Sequence, residues 1–271
     1  MIKQNLHTHS IFSDGENTLE EMALAAISKG FSSLGFSDHS AIKGCEDWCM
    51  PREKYAEYFL ECERIKEKFE GKLEIFIGLE MDVLSEKCEY PLDYAIGSCH
   101  HVVKNKKRVC IDNTPEELIE GAKDLFNGDM LLLCEEYYDE VGRIAERDDL
   151  QIVGHFDIIT KHIEVCKGIV DVTSERFIEA ENKALDKLIK AGKIFEINTG
   201  AMARGKRTLP YPSERVLKQI AKAGGRITIS SDCHDADFLD CGFDECLTLA
   251  KKCGFGEIYY LECDGFKAHK F

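Results

Sequence analysis

Six short clusters of histidine and acidic residues recur along this chain, and each closes an apolar run at the point where a strand would pass into a loop. In order they are His7-Thr8-His9, Ser37-Asp38-His39, Gly78-Leu79-Glu80, Gly97-Ser98-Cys99-His100, Gly154-His155-Phe156-Asp157 and Ser231-Asp232-Cys233-His234. One such pair arises easily by chance. Six of them, spread over more than two hundred residues, ask for a fold that returns the end of every strand to one place, and the natural reason to gather such side chains is metal.

The segments between the clusters alternate strand and helix. Residues 2–7 alternate as a strand. Residues 18–29 carry apolar side chains at helical spacing behind a Thr18 N-cap, with Glu21 completing a capping box and Gly30 stopping the helix. Residues 34–37 read as a strand, 51–70 as a charged helix, 73–78 as a strand running out to Glu80, and 92–97 as another strand. Thr114-Pro115 opens a helix with proline at its first position, and 121–147 is largely helical. Strands at 151–154, 194–198 and 226–231 are separated by helices at about 174–191 and 213–223, and 257–261 is the last strand.

Repeated strand–helix units imply right-handed crossovers and a parallel sheet, and 271 residues with seven or so strands close most simply into a single α/β barrel domain spanning 1–271. In a barrel the C-terminal strand ends meet at one face, which is where the clusters fall. An open doubly wound sheet is the alternative; it brings His7 and His234 together but gathers all six clusters with more difficulty.

Composition narrows the functional classes. A hydrophobic fraction of 44% with 31% charged residues suits a globular enzyme with a sizeable core. The amino terminus lacks the apolar segment of a signal peptide, and no stretch approaches the roughly 18 apolar residues of a membrane span, so a cytoplasmic protein without membrane contact is expected. Thirteen scattered cysteines read as buried, reduced thiols. Cys99 and Cys233 adjoin candidate ligands but point to the opposite strand face. A formal net charge of −15 opposes binding to a phosphate backbone and argues against nucleic acid. A small anionic substrate is compatible with it, since bound metals and a few cations reverse the potential inside one pocket. No heptad run or apolar surface stripe declares an oligomeric state.

In His7-Thr8-His9 the two imidazoles share one side of an extended segment. Asp14 lies in a turn, Phe12-Ser13-Asp14-Gly15, where aspartate commonly bonds its own backbone; its place in the loop leaving the same strand end makes it a candidate ligand. Glu80 has two oxygens and can bridge two cations. His100 is preferred to His101, which is placed at the rim or under the core; His155 follows a strand and a glycine; Asp232 and His234 again share a side. His162 and His269 lack a comparable setting and read as surface residues. Six histidines and three carboxylates exceed what one tetrahedral ion takes, so two or three divalent metals follow, with zinc, iron and manganese all suited to mixed imidazole and carboxylate ligands.

HTHS near the start, FSDG, SDH, GLE, GSxH, GHxD, EINTG, PYPS and ITISSDCH carry a resemblance over nearly the whole chain to the PHP (polymerase and histidinol phosphatase) family, in particular to its histidinol-phosphate phosphatases. The resemblance implies a distorted (β/α)7 barrel with a trinuclear metal centre at the strand C-termini. It assigns His7, His9, Glu80 and Asp232 to one metal, Glu80, His100 and His155 to a second, and Asp14, His39 and His234 to a third.

It further implies metal-dependent hydrolysis of L-histidinol phosphate to L-histidinol and phosphate in histidine biosynthesis. Glu80, Asp232 and His234 would be the catalytic side chains. Proton delivery to the leaving alcohol is open among a metal-held water, His234 and Asp232. Lys161 after GHFD, and Arg204, Lys206 and Arg207 after EINTG, are placed to reach the same face, with Arg204, Lys161 and Arg207 as phosphate-binding candidates. Asn198 supports the strand end or touches substrate, and residues 101–150 are the candidate lid or specificity wall. Two other readings stand beside this one. A PHP-type exonuclease or nucleotide phosphoesterase would want a basic groove or stacking aromatics. A silent metal-binding module would be expected to have lost ligands.

Overall fold

The computed structural model describes residues 3–271; the first residue of the strand expected at 2–7 lies outside the described residues, and the strand itself is confined to Gln4–Asn5. Seven parallel strands build the main sheet: β1 (Gln4–Asn5), β2 (Ser33–Phe36), β3 (Glu74–Asp82) and β4 (Tyr94–Ser98), then, after an inserted hairpin of β5 (His101–Lys104) and β6 (Lys107–Cys110), β7 (Ile152–Val153), β8 (Ile194–Asn198) and β9 (Arg226–Ser230). They follow one another in the order β1-β2-β3-β4-β7-β8-β9. The first and last strands meet beyond their ends: Thr8 bridges Cys233, and the His9 amide donates to the Cys233 carbonyl at 2.9 Å. The sheet is thus a distorted, nearly closed α/β barrel, and its seam is sewn by two of the histidine clusters themselves.

Among the described residues the α-helices are α1 (Leu19–Ser28), α2 (Tyr55–Lys68), α3 (Pro115–Phe126), α4 (Met130–Val141), α5 (Glu175–Lys190), the short α6 (Gly200–Ala203), α7 (Glu214–Lys222) and α8 (Phe243–Cys253). The helix starts are those that local chemistry dictates. Thr18 accepts from the Glu21 amide while the Glu21 carboxylate accepts from the Thr18 amide at 2.8 Å, and Thr114 caps α3 ahead of Pro115. No helix among the described residues is long and apolar enough to cross a membrane. All thirteen cysteines are free thiols, most of them buried.

The strand expected at 257–261 is present, but it is neither the last strand nor part of the barrel. β10 (Glu257–Glu262) pairs antiparallel with β11 (Gly265–Lys270) as a separate hairpin, outside the barrel sheet. It docks on the first strand, where the Gln4 side chain donates to the Leu261 carbonyl and accepts from its amide, both at 2.8 Å. Gln4 begins β1, so this hairpin covers the end of the barrel opposite the clusters. Leu261 there joins Leu6, Phe76, Tyr94, Ile96 and Ile152 in a small apolar core distinct from the larger one beneath the helices.

Tyr94 ties that small core to the wall, its hydroxyl donating to the Leu6 carbonyl at 2.5 Å and to that of Phe36 at 3.2 Å. Its ring occupies the space left by Gly35: a methyl there would meet the Tyr94 ring at 2.8 Å and Leu6 Cδ2 at 2.9 Å. Gly35→Ala is therefore expected to lower stability by about 1–3 kcal/mol through overpacking, read as a shift in the denaturant midpoint. An unchanged midpoint would show that Tyr94 can step aside.

Candidate metal centre

All nine expected ligands converge on the C-terminal face of the barrel, and Glu80 is at their centre. Its Oε2 lies 3.1 Å from His7 Nε2, 3.5 Å from His9 Nε2 and 2.9 Å from His39 Nδ1. Its Oε1 lies 2.9 Å from His155 Nε2 and 3.5 Å from His100 Nε2. Each oxygen of one carboxylate thus faces a different set of imidazoles. Asp232 Oδ1 stands 3.4 Å from His9 and 3.6 Å from His234, and Asp14 reaches His39 at 3.6 Å and His234 at 3.3 Å.

Local backbone geometry explains the convergence. Strand alternation puts His7 and His9 on one face, ring centroids 5.1 Å apart. Gly15 lets the loop carrying Asp14 fold back on His9, since a Cβ there would fall 2.6 Å from the Ser10 amide nitrogen and closer still to the His9 carbonyl. Gly200 leaves room for Asp232 and Arg204, whose side chains a Cβ would meet at 2.7 and 2.8 Å. Asp232 itself is held at φ 46°, in the left-handed region that aspartate tolerates and that recurs where a site dictates the backbone.

Three carboxylates outside the expected ligand set support the ligands and their loops from behind. Glu196 accepts from His7 Nδ1 at 2.9 Å, the His155 amide at 2.6 Å, Asn198 Nδ2 at 2.7 Å and Ser230 Oγ at 2.5 Å. Asp82 accepts from the His100 amide at 2.8 Å and lies 3.2 Å from its Nδ1. Asp38 takes the amides and hydroxyls of Ser10 and Ser13, which orders the loop after β1. The readable signal was period-two alternation: Glu196 shares a strand face with Asn198, and Asp82 with Glu80.

The electrostatics are those of a buried carboxylate cluster. Burial would raise the Glu80 carboxyl, but His7, His39 and His100 outweigh it and hold it well below the usual range. Burial likewise opposes charge on His7, yet Glu196, Glu80 and Asp232 raise it far above an ordinary histidine. Burial lowers His100 less than Glu80 and Asp82 raise it, leaving it at about 9. His9 goes the other way, to about 3, through burial reinforced by His234 and His39. The field that retains a proton on His7 is the field that would retain a divalent cation.

The residues fit such cations. His7 Nε2, both ring nitrogens of His9 and Glu80 Oε2 are buried without a hydrogen-bond partner, although oppositely charged atoms lie within 3–4 Å. Ligand atoms come within 4.8 Å of one another in three sets: His9, Asp14, His39 and His234; His7, His9 and Asp232; and His39, Glu80 and His100. Imidazole and carboxylate donors in overlapping sets suit more than one ion.

The cations of the rim differ among themselves. Arg204 donates to the Asp232 carbonyl at 3.0 Å, to His234 Nδ1 at 2.9 Å and to Asp232 Oδ2 at 3.3 Å, so it touches the centre directly. Lys161 Nζ is 3.4 Å from Asp112 Oδ2. Arg207 is buried rather than solvated: it donates to Thr160 Oγ1 at 2.7 Å and covers the Tyr211 ring at 4.5 Å. Lys206 is exposed. Asn198 joins Glu196 to Asp232 through its Nδ2.

His162 corrects an expectation. It is 5% exposed, with Nε2 unpartnered, and burial followed by the neighbouring Lys161 lowers its pKa. It is no surface residue, though it stands apart from the ligand sets. His269 pairs with Glu262 in the C-terminal hairpin at 2.7 Å. His101 is buried beside Trp48.

Comparison with known proteins agrees with this geometry. The PHP domain family matches residues 5–200. A probable histidinol-phosphatase of Schizosaccharomyces pombe is 26% identical, the alignment covering 96% of this chain and 89% of that protein. The histidinol-phosphatase of Lactococcus lactis is 27% identical over 95% of this chain and 94% of its own. The fold is also that of histidinol phosphate phosphatase from Lactococcus lactis, solved with zinc, L-histidinol and phosphate, at a TM-score of 0.72, 21% identity and 98% coverage of each chain.

Proposed function

Since this chain belongs to the PHP domain family, we propose that it is a metal-dependent histidinol-phosphatase, hydrolysing L-histidinol phosphate to L-histidinol and inorganic phosphate in histidine biosynthesis, with residues 1–271 acting as one domain. The observation that carries the reading is Glu80, whose two oxygens face five imidazoles from four other strand ends. The names of full-length relatives support the substrate. The relative solved with zinc supports the metal class.

His7, His9, Glu80 and Asp232 would hold one ion, Glu80, His100 and His155 a second, and Asp14, His39 and His234 a third. Bound there, divalent cations supply an acidified water and neutralise the phosphoryl oxygens. The chain's own part is positioning and charge. Arg204, already touching Asp232 and His234, offers planar donors to a phosphoryl oxygen, and Lys161 adds a point charge held near by Asp112. Arg207 acts behind them, keeping Tyr211 and the Thr160 turn in place. His234, with its side chain 23% exposed, is the imidazole of the centre most open to a departing alcohol.

The test is phosphate release by metal-replete protein from L-histidinol phosphate, from a generic phosphomonoester and from a short single-stranded oligonucleotide. Preference for the first is expected. Chelation should cut the rate by about a hundredfold or more, since the cations stabilise the transition state by several kcal/mol, and readded zinc or manganese should restore it. Preference for the oligonucleotide would move the function to nucleic-acid processing, against which the net charge of −15 argues.

A further inference from the structure

A metal centre that clamps a phosphoryl group does not tell one phosphomonoester from another; the discriminating side chains must stand at its rim. That rim is chemically divided. The loops after β7 and β8 bring cations, Lys161 and Arg204. The loop after β2 brings Trp48, the only tryptophan in the chain. Its indole meets His39 nearly at right angles, with centroids 4.7 Å apart, and His100 at 5.4 Å, and lies roughly parallel to His101 at 6.0 Å.

The ring is held in that place. Trp48 packs on a small core of its own loop, Ile42, Cys45 and Cys49, and the loop is pinned by the Ala41 amide donating to the Tyr55 hydroxyl at 2.8 Å. Yet the indole is half-buried, not sealed. A large aromatic surface kept partly open, against two imidazoles that flank Glu80, is a surface with something left to cover.

We infer that Trp48 is a specificity-determining residue: its indole is the wall against which the imidazole ring of the substrate packs while the phosphate lies toward Arg204 and Lys161. The inference rests on the histidinol-phosphatase reading and adds to it the group that recognises the ring. Indole suits this ligand for the reason it already suits His39, His100 and His101: an imidazole edge or face packs well on it, and a protonated ring is further favoured by the indole face. Glycerol 3-phosphate offers the same phosphate with nothing to stack.

The experiment compares Trp48→Ala and Trp48→Phe with the parent chain, all metal-replete and with metal content measured, on L-histidinol phosphate and glycerol 3-phosphate. The parent should prefer histidinol phosphate. Trp48→Ala should lower kcat/KM for that ester by about tenfold or more, mainly through KM, in line with the loss of an aromatic pair and its buried area. The ratio between the two esters should narrow, and Trp48→Phe should recover much of it. Equal losses on both esters, or loss of bound metal, would overturn the inference and make Trp48 a shield for His39 and His100. As the sole tryptophan it also reports directly: its emission should change saturably when L-histidinol is added to the parent protein, and unaltered emission would overturn the assignment. A parent chain without preference for histidinol phosphate would defeat the functional reading itself, and this inference with it, before any variant is made.

Discussion

Glu80→Gln is expected to lower kcat/KM for phosphate release by well over a hundredfold and to reduce the metal bound per chain. The substitution preserves shape and removes charge. It replaces one of two oxygens by an amide nitrogen, in a place where Oε2 faces His7, His9 and His39 while Oε1 faces His100 and His155. Whichever way the amide turns, one set of imidazoles loses its acceptor and any ion on that side loses a ligand. Loss of a mere outer partner typically costs ten- to a hundredfold in affinity or activity, so loss of the shared carboxylate should exceed that. His162→Ala and His269→Ala are the controls. The first should cost stability, because His162 is buried, and the second little, because His269 is partly exposed and contacts Glu262 and Tyr260 within the hairpin, away from the centre. Neither should change the metal content of the folded protein. Elemental analysis with initial rates decides the matter: equal losses in all three variants would sink the placement of Glu80 at the centre.

The barrel and its ligand face were legible because both depend on local, repeated signals. A histidine or carboxylate near the end of an apolar run is visible one strand at a time, and a parallel sheet brings all such ends to one side whatever the details of each crossover. What depended on contacts between distant loops was not legible. Lys161-His162-Ile163-Glu164 has the polarity of a surface turn, yet His162 is buried, and the turn is tied to a distant loop through the Thr208 amide, which donates to Glu164 at 2.9 Å. Arg207 read as a phosphate-binding candidate for the same reason; its partner Thr160 comes from a distant loop, and it covers the ring of nearby Tyr211.

Other signals were present and passed over. Strands of either sense share the same alternation, so 257–261 looked like one more barrel strand; the Asp264-Gly265 pair just beyond it, with Gly265 at φ 111°, is the hairpin mark that distinguishes the two. Glu196 in Ile194-Phe195-Glu196-Ile197-Asn198 is an acid inside an otherwise apolar strand, and a strand buried on both faces has no reason to carry one unless it faces partners.

Those partners make Glu196→Gln the second large effect. Burial would raise the Glu196 carboxyl, but His7 and the hydrogen bonds it receives hold it below the usual carboxylate range. All four of its contacts are donors. Oε2 takes His7 Nδ1 and the Ser230 hydroxyl; Oε1 takes the His155 amide and Asn198 Nδ2. A glutamine must set its NH2 group against one of these pairs. Facing His155 and Asn198, it meets two N–H groups that cannot accept, leaving buried donors unpaired at a cost of about 1–3 kcal/mol. Facing His7, it asks Nδ1 to accept, which moves the ring proton to Nε2, the atom that points at Glu80 and would hold the ion. Either arrangement disturbs a proposed ligand, His155 through its amide or His7 through its ring proton, so both predict a lower denaturant midpoint, metal affinity reduced by about ten- to a hundredfold, and activity that excess zinc restores in large part because no ligand has been removed. Activity that excess metal cannot restore would place Glu196 among the reacting groups. Metal affinity equal to the parent's would show that His7 keeps its tautomer without Glu196, and the positioning role assigned to it would fall.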